Sequence, residues 1–167
     1  NDDTNQEQLL TSYILHDILK PRLPPDAAAL LALTSIDLYP DPTWNFVFGQ
    51  ASIKERVGVW SIARNGDPNT EFKLVLLRTI KTASHETCHM FSIHHCINAS
   101  CCMNGSNHRA ESDSRPLALC PDCLAKLCWA TASNPKSILS KLQAFCHNHE
   151  FPEEEQFFHS SLDLLSK

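Results

Sequence analysis

His85, Glu86, His89 and His95 stand in the stretch HETCHMFSIHH, and their types and spacing are those of a metal-dependent hydrolytic centre. On a helix, residues four apart lie about 40° apart in projection, so His85 and His89 can aim ring nitrogens at one metal ion. Two nitrogens do not close a site. A third from His95 leaves one tetrahedral position for water, the arrangement that separates catalytic from structural zinc. Glu86 would stand beside that water as a base. His94 is adjacent and chemically equivalent, so it stays open as an alternative, but only His95 has the spacing of the extended form of the motif.

A second constellation opens at the next residue. Cys96 and Cys101 form a CxxxxC pair and Cys120 and Cys123 a CxxC pair, with 18 residues between the two. Two such pairs are the usual layout of a structural zinc site, in which four thiolates at about 2.3 Å close the tetrahedron and exclude water. Cys102 leaves the assignment ambiguous by one position. Disulfides are the alternative, and they require an oxidising compartment. Cys88, Cys128 and Cys146 complete no ligand pair and read as small core hydrophobes. His147 and His149 read as an exposed helix end rather than a weak metal site.

The elements that must hold these residues come from a chain of 167 residues, 43% apolar, which suits one domain with a sizeable core. A net charge of −5 and the lack of a basic run argue against nucleic acid or an anionic membrane as partner. No apolar stretch reaches membrane-spanning length. The first residue is Asn rather than Met, as expected of a processed piece, and no signal peptide is visible. Eight cysteines placed beside histidines point to metal binding in a reducing compartment, cytoplasmic or nuclear. A monomer is expected.

Thr4 and Glu7 make a capping box ahead of Leu10, Tyr13, Ile14 and Ile18, which predicts a helix that Pro21 stops. The nearly continuous apolar run Ala28 to Leu38 predicts one strand buried on both faces. Trp44 to Phe48 and Arg56 to Ile62 predict two more strands, with Gly49 and Gly58 as bends. After a loop at Asn65 to Thr70, the stretch from Leu74 to Ile93 is helical near its end, although Leu74 to Leu77 alone fits a strand equally well. A polar loop runs from Asn104 to Arg115. Ser137 to Phe145 and Glu153 to Leu165 predict two amphipathic helices, the second opened by Pro152 and three glutamates.

Taken together, HETCHMFSIHHC, CCMNGS and LCPDC resemble the archaemetzincins, a zinc peptidase family marked by HExxHxxGxxHCx4CxM with CxxC downstream. The likeness extends more weakly to WNFVFGQAS and its flanking strands, covering about residues 9 to 145. It implies a metzincin-like α/β (α+β) fold in a single metallopeptidase domain, residues 1–167. Within it, residues 1–95 would form an N-terminal subdomain with a small mixed sheet and the active-site helix. Residues 96–167 would form a mainly helical C-terminal subdomain stabilised by zinc.

The resemblance further implies two Zn2+ per chain. His85, His89 and His95 would bind the catalytic ion with Glu86 as general base and acid, Cys96, Cys101, Cys120 and Cys123 would bind the structural ion, and Met103 would occupy the Met-turn. The implied activity is that of a zinc-dependent metallopeptidase on a peptide or protein substrate, with aminopeptidase-like and internal cleavage both open. An extended substrate would pair with an exposed strand edge, for which Arg56 to Ile62 is the candidate.

Two positions depart from the family pattern. Ser92 stands where the pattern has Gly, and a left-handed conformation there would cost about 1 kcal/mol. Gly105 stands two residues after the methionine, where some metzincin branches have Tyr. These departures motivate the rival reading, a zinc-stabilised peptide- or protein-binding module with little turnover. A secreted disulfide protein is a third possibility, separable by counting thiols.

Overall fold

A computed structural model describes residues 7–166 and builds them as two compact units that divide between His94 and His95. Thr4, half of the expected capping box, lies outside the described residues. No helix among the described residues is long and apolar enough to cross a membrane.

The first unit carries both sheets. Strand β1 (Gln8–Leu10) pairs in parallel with β3 (Asp37–Tyr39), so the first turn of the expected helix is instead extended. A helical stretch, α1 (11–22), follows at once, with wide turns over Ile14–Leu19 and a tight final turn that accommodates Pro21. The second sheet has the order β2 (Leu30–Thr34), β5 (Val57–Ser61), β4 (Gly49–Ser52), with β2 parallel and β4 antiparallel to β5.

Alternation along β5 decides what covers each face of that sheet. Val57 and Val59 join Ile14, Leu15 and Leu19 of α1 in the core, together with Leu38. Gly58 points the other way, where a β-carbon would meet Met90 of α2 (Phe72–Met90) at 3.3 Å. Burying these apolar faces is the main stabilising term of the unit, at about 25 cal/mol per Å2 of apolar surface removed from water.

Three strand expectations are corrected. The run Ala28 to Leu38 is two strands rather than one, and β2 is half-buried on one face only, with Leu31 and Leu33 exposed. The physical reason is position, since β2 is an edge strand and its packing partner α1 covers a single face. Trp44 to Phe48 contributes only an isolated bridge between Val47 and Leu38, and the strand proper begins at Gly49. Arg56 to Ile62 is no exposed edge, because β5 is central, paired on both sides and buried along its length.

The second unit is helical. α3 (Arg109–Ser114) interrupts the expected loop, capped by His108, whose side chain accepts from the Glu111 N–H. α4 (Pro121–Thr131), α5 (Pro135–Asn148) and α6 (Pro152–Leu164) each begin with proline, where its missing N–H costs nothing. The Asn134 side chain accepts from Lys136 and Ser137 N–H groups to cap α5, and Glu153, Glu154 and Glu155 favour the positive end of the α6 dipole. α5 and α6 pack on each other, and Leu139, Cys146, Phe151 and Phe158 are buried.

Candidate metal centres

Helix α2 buries an unusually polar set of side chains, Lys81, Thr82, His85 and Glu86 beside Val75, Cys88 and Met90. Buried polar groups carry more information than buried apolar ones, because each must be compensated. His85 and His89, one turn apart, bring their Nε2 atoms to 3.0 Å with the rings at right angles. Two nitrogens at about 2.05 Å from one tetrahedral zinc would be separated by roughly 3.3 Å. Glu86 lies on the sheet side of the helix, where a β-carbon on Gly49 of β4 would approach its Cγ to 3.1 Å.

The end of α2 determines how the chain leaves this pair. Ser92 adopts φ +64, the Ser92 N–H donates to the His89 carbonyl at 2.9 Å, and the Ile93 N–H donates to the Cys88 carbonyl at 3.1 Å. These are the two bonds of a Schellman ending, with serine in the left-handed position that glycine usually fills. Ile93 is buried, and its carbonyl lies 2.7 Å from His89 Nδ1. A carbonyl can only accept, so His89 carries its proton on Nδ1 and presents Nε2 as a bare lone pair, the tautomer a metal ligand needs.

The same local turn continues into His95, the residue at which the second unit begins. Within the eleven-residue stretch 85–95, one ligand atom from each of His85, His89 and His95 lies within 4.8 Å of the others. His94 is not in that group. A bare Nε2 3.0 Å from another imidazole nitrogen fits a shared cation, so this donor set suits zinc.

The four cysteines Cys96, Cys101, Cys120 and Cys123 likewise hold their sulfurs within 4.8 Å of one another, and Cys102 is not among them. Cys96 and Cys120 Sγ are 3.9 Å apart, against about 3.8 Å for two sulfurs at 2.3 Å on a tetrahedral zinc. None of the eight cysteines is joined in a disulfide.

The loop 96–104 is tied by its own polar groups. The Cys96 N–H donates to the Met103 carbonyl, and the Asn104 side chain donates to the Cys96 and Ala99 carbonyls while accepting from the Cys101 N–H. Cys101 Sγ accepts from the Met103 and Cys120 N–H groups. Backbone N–H groups of Asn98 and Ala99 hold the Cys96 thiol below its usual range, whereas burial pushes Cys101 and Cys123 up. Four sulfurs that converge on one point suit a cation that would compensate the charges of their thiolates.

Met103 is fully buried in the second unit. Cys88 and Cys146 are buried as well, and burial pushes the Cys146 thiol up to about 11. His147 bonds Glu155 at 3.0 Å, the His149 ring lies against Phe145 at 4.3 Å between centroids, and neither joins a ligand group among the described residues. Sequence reasoning missed Gly49, Asn104 and the Ile93 carbonyl. A lone glycine or asparagine carries no signal of its contacts, and a carbonyl carries none at all.

Comparison with known proteins adds a family. The model described as peptidase family M54 matches residues 26–128. Archaemetzincin-2 of Macaca fascicularis is 39% identical over 156 residues, covering 76% of this chain and 43% of that protein. The archaemetzincin of Thermococcus kodakarensis is 40% identical over 106 residues, covering 60% of this chain and 56% of that one. The crystal structure of archaemetzincin from Methanopyrus kandleri matches with TM-score 0.66 at 36% identity, over 75% of this chain and 67% of that one. That from Archaeoglobus fulgidus, complexed with malonate, matches with TM-score 0.60 at 29% identity, over 75% and 72% of the two chains. The chain thus spans less than half the length of its mammalian archaemetzincin-2 relatives.

Proposed function

The chain belongs to peptidase family M54, the archaemetzincins, and from that premise we propose that it is a zinc metallopeptidase. In this reading His85, His89 and His95 hold catalytic zinc and Cys96, Cys101, Cys120 and Cys123 hold structural zinc. The observation that carries it is the convergence of three histidine ligand atoms in 85–95, on the helix that also buries Glu86.

Zinc bound by the three histidines would supply Lewis acidity, lowering the pKa of a water and polarising the scissile carbonyl. The remaining chemistry falls to the chain. Glu86, held between α2 and β4, accepts the proton of the attacking water on a carboxylate oxygen and delivers it to the leaving amine nitrogen. The His89 Nδ1–H bond to the Ile93 carbonyl fixes that ring against rotation. An extended peptide would pair with β4, an edge strand whose Gly49 adjoins Glu86, in place of the central β5. Met103 takes the Met-turn position of the family pattern.

The rival reading, a zinc-stabilised binding module, was motivated in part by Ser92. Serine here takes φ +64 and closes the helix as glycine would, which removes that motive. Glu86→Gln separates the two readings. The variant is expected to bind zinc at the parent stoichiometry and to cleave a screened peptide library about 10^2- to 10^4-fold more slowly. Parent-like cleavage by the variant rejects the role of Glu86, and a parent with full zinc but no hydrolysis favours the binding module.

A further inference from the structure

We propose that Gly105 is the positioning residue of the third histidine, held in place by the side chain of Asn104; this rests on the reading of His95 as a zinc ligand. A β-carbon at Gly105 would stand 3.3 Å from Nδ1, 3.4 Å from Cε1 and 3.8 Å from Cγ of His95. Three ring atoms so close to one point mean that the imidazole rests against the glycine. Gly105 is not among the residues with positive φ, so glycine serves here for space and not for conformation.

The support beneath the ring cannot retreat. Asn104, the preceding residue, spends its whole polar inventory on neighbours. Its N–H donates to the Cys101 carbonyl at 3.0 Å and its carbonyl accepts from Arg115 Nη1 at 3.2 Å. Its side chain accepts from the Cys101 N–H at 2.8 Å and donates to the Cys96 and Ala99 carbonyls at 2.7 and 2.9 Å. Met103, on its far side, is fully buried and accepts the Cys96 N–H. His95 by contrast is exposed, so a side chain added at 105 displaces the ring and leaves the backbone where it is. The closed thiolate loop therefore fixes a platform, and the platform fixes where the third nitrogen can be.

Cobalt(II) titration of the metal-free protein tests this, because thiolate-to-cobalt charge-transfer bands report the cysteine site and visible d–d bands report the histidine site separately. The parent is expected to take two cobalt ions. Gly105→Val should lower affinity at the histidine site 10- to 100-fold in chelator competition, with the charge-transfer bands unchanged. Gly105→Ala, which asks the ring to move only a few tenths of an ångström, should lower it a few-fold.

Parent-like affinity at the histidine site in Gly105→Val overturns the proposal. If Gly105→Val loses the charge-transfer bands as well, Gly105→Ala decides: intact bands with weakened histidine-site affinity support the positioning role, and any other result rejects it. A parent that takes one cobalt ion, at the thiolates alone, rejects the ligand reading itself. A parent that takes two while both variants match it rejects only the role of Gly105.

Discussion

Replacing Ser92 by glycine should make the protein more stable, although the change removes a side chain and touches no core residue. Ser92 sits at φ +64, where an L side chain crowds its own backbone at a cost of about 1–2 kcal/mol. Glycine recovers that cost and returns part of it, up to about 1 kcal/mol, as extra freedom of the unfolded chain. The net gain is about 0.5–1 kcal/mol, or roughly 2 °C in Tm for a chain of this size. Ser92→Val should move the other way by at least 1 kcal/mol, because a β-branched residue is poorly tolerated at positive φ.

The turn also feeds the ligand pair, since the Ile93 carbonyl accepts from His89 Nδ1. Ser92→Val should therefore weaken zinc binding at the histidines, whereas Ser92→Gly should leave it equal or tighter. Thermal unfolding of the metal-free proteins, with chelator competition alongside, supplies both readouts. A glycine variant less stable than the parent, or a valine variant equal to it, would refute the claim that conformational strain resides at this position.

Two further predictions concern the first unit. Burial pushes the Asp37 carboxyl up, but hydrogen bonds from Arg64 and Gln8 and the Arg64 charge outweigh it and hold the group below its ordinary value. A depressed carboxylate contributes stability above its unfolded pKa of about 3.9 and loses it as pH falls through the lower folded value. Asp37→Asn should accordingly destabilise at pH 7 with a deficit that shrinks below about pH 4, and a deficit independent of pH in urea unfolding would contradict this. Gly49→Val would force a β-carbon to 2.9 Å from Trp60 Cβ and 3.1 Å from Glu86 Cγ. We expect a loss of about 1–3 kcal/mol and slower peptide cleavage, and unchanged stability and rate would show that β4 does not constrain Glu86.

The grouping of the candidate ligand residues was legible because it is written in local spacing. His85 and His89 need only one helical turn, and CxxC needs only one helix start. α5 and α6 announced themselves through amphipathic spacing, and α6 also through Pro152 and an acidic first turn. α4 was not expected, although Pro121 and Asp122, inside the CxxC pair, are its first residues.

Strands were harder, since long-range pairing decides them. Phe46 and Phe48 have strong strand preference, yet they pack edge to face and Phe46 takes the Arg64 guanidinium over its ring at 3.8 Å. Gly49 to Ser52 has weak preference and still forms β4, because β5 offers it a partner along four residues. The continuous apolar run into Leu38 gave no sign that β2 would end at Thr34 and chain direction change before Asp37. One sheet order also turned the expected exposed edge into the most protected strand of the unit.

The ligand atoms described above also bear on the order in which the chain can assemble. Both groups fall between His85 and Cys123, and each closes over a short contour, the histidines within 85–95 and the cysteines within 96–123. Loop-closure entropy grows only slowly with contour length, and short contours are the quickest to search. Nothing beyond Cys123 is needed to complete either group, so α5 and α6 add stability without adding a ligand. A ribosome that has released residue 123 has already delivered every atom of the two proposed metal sites.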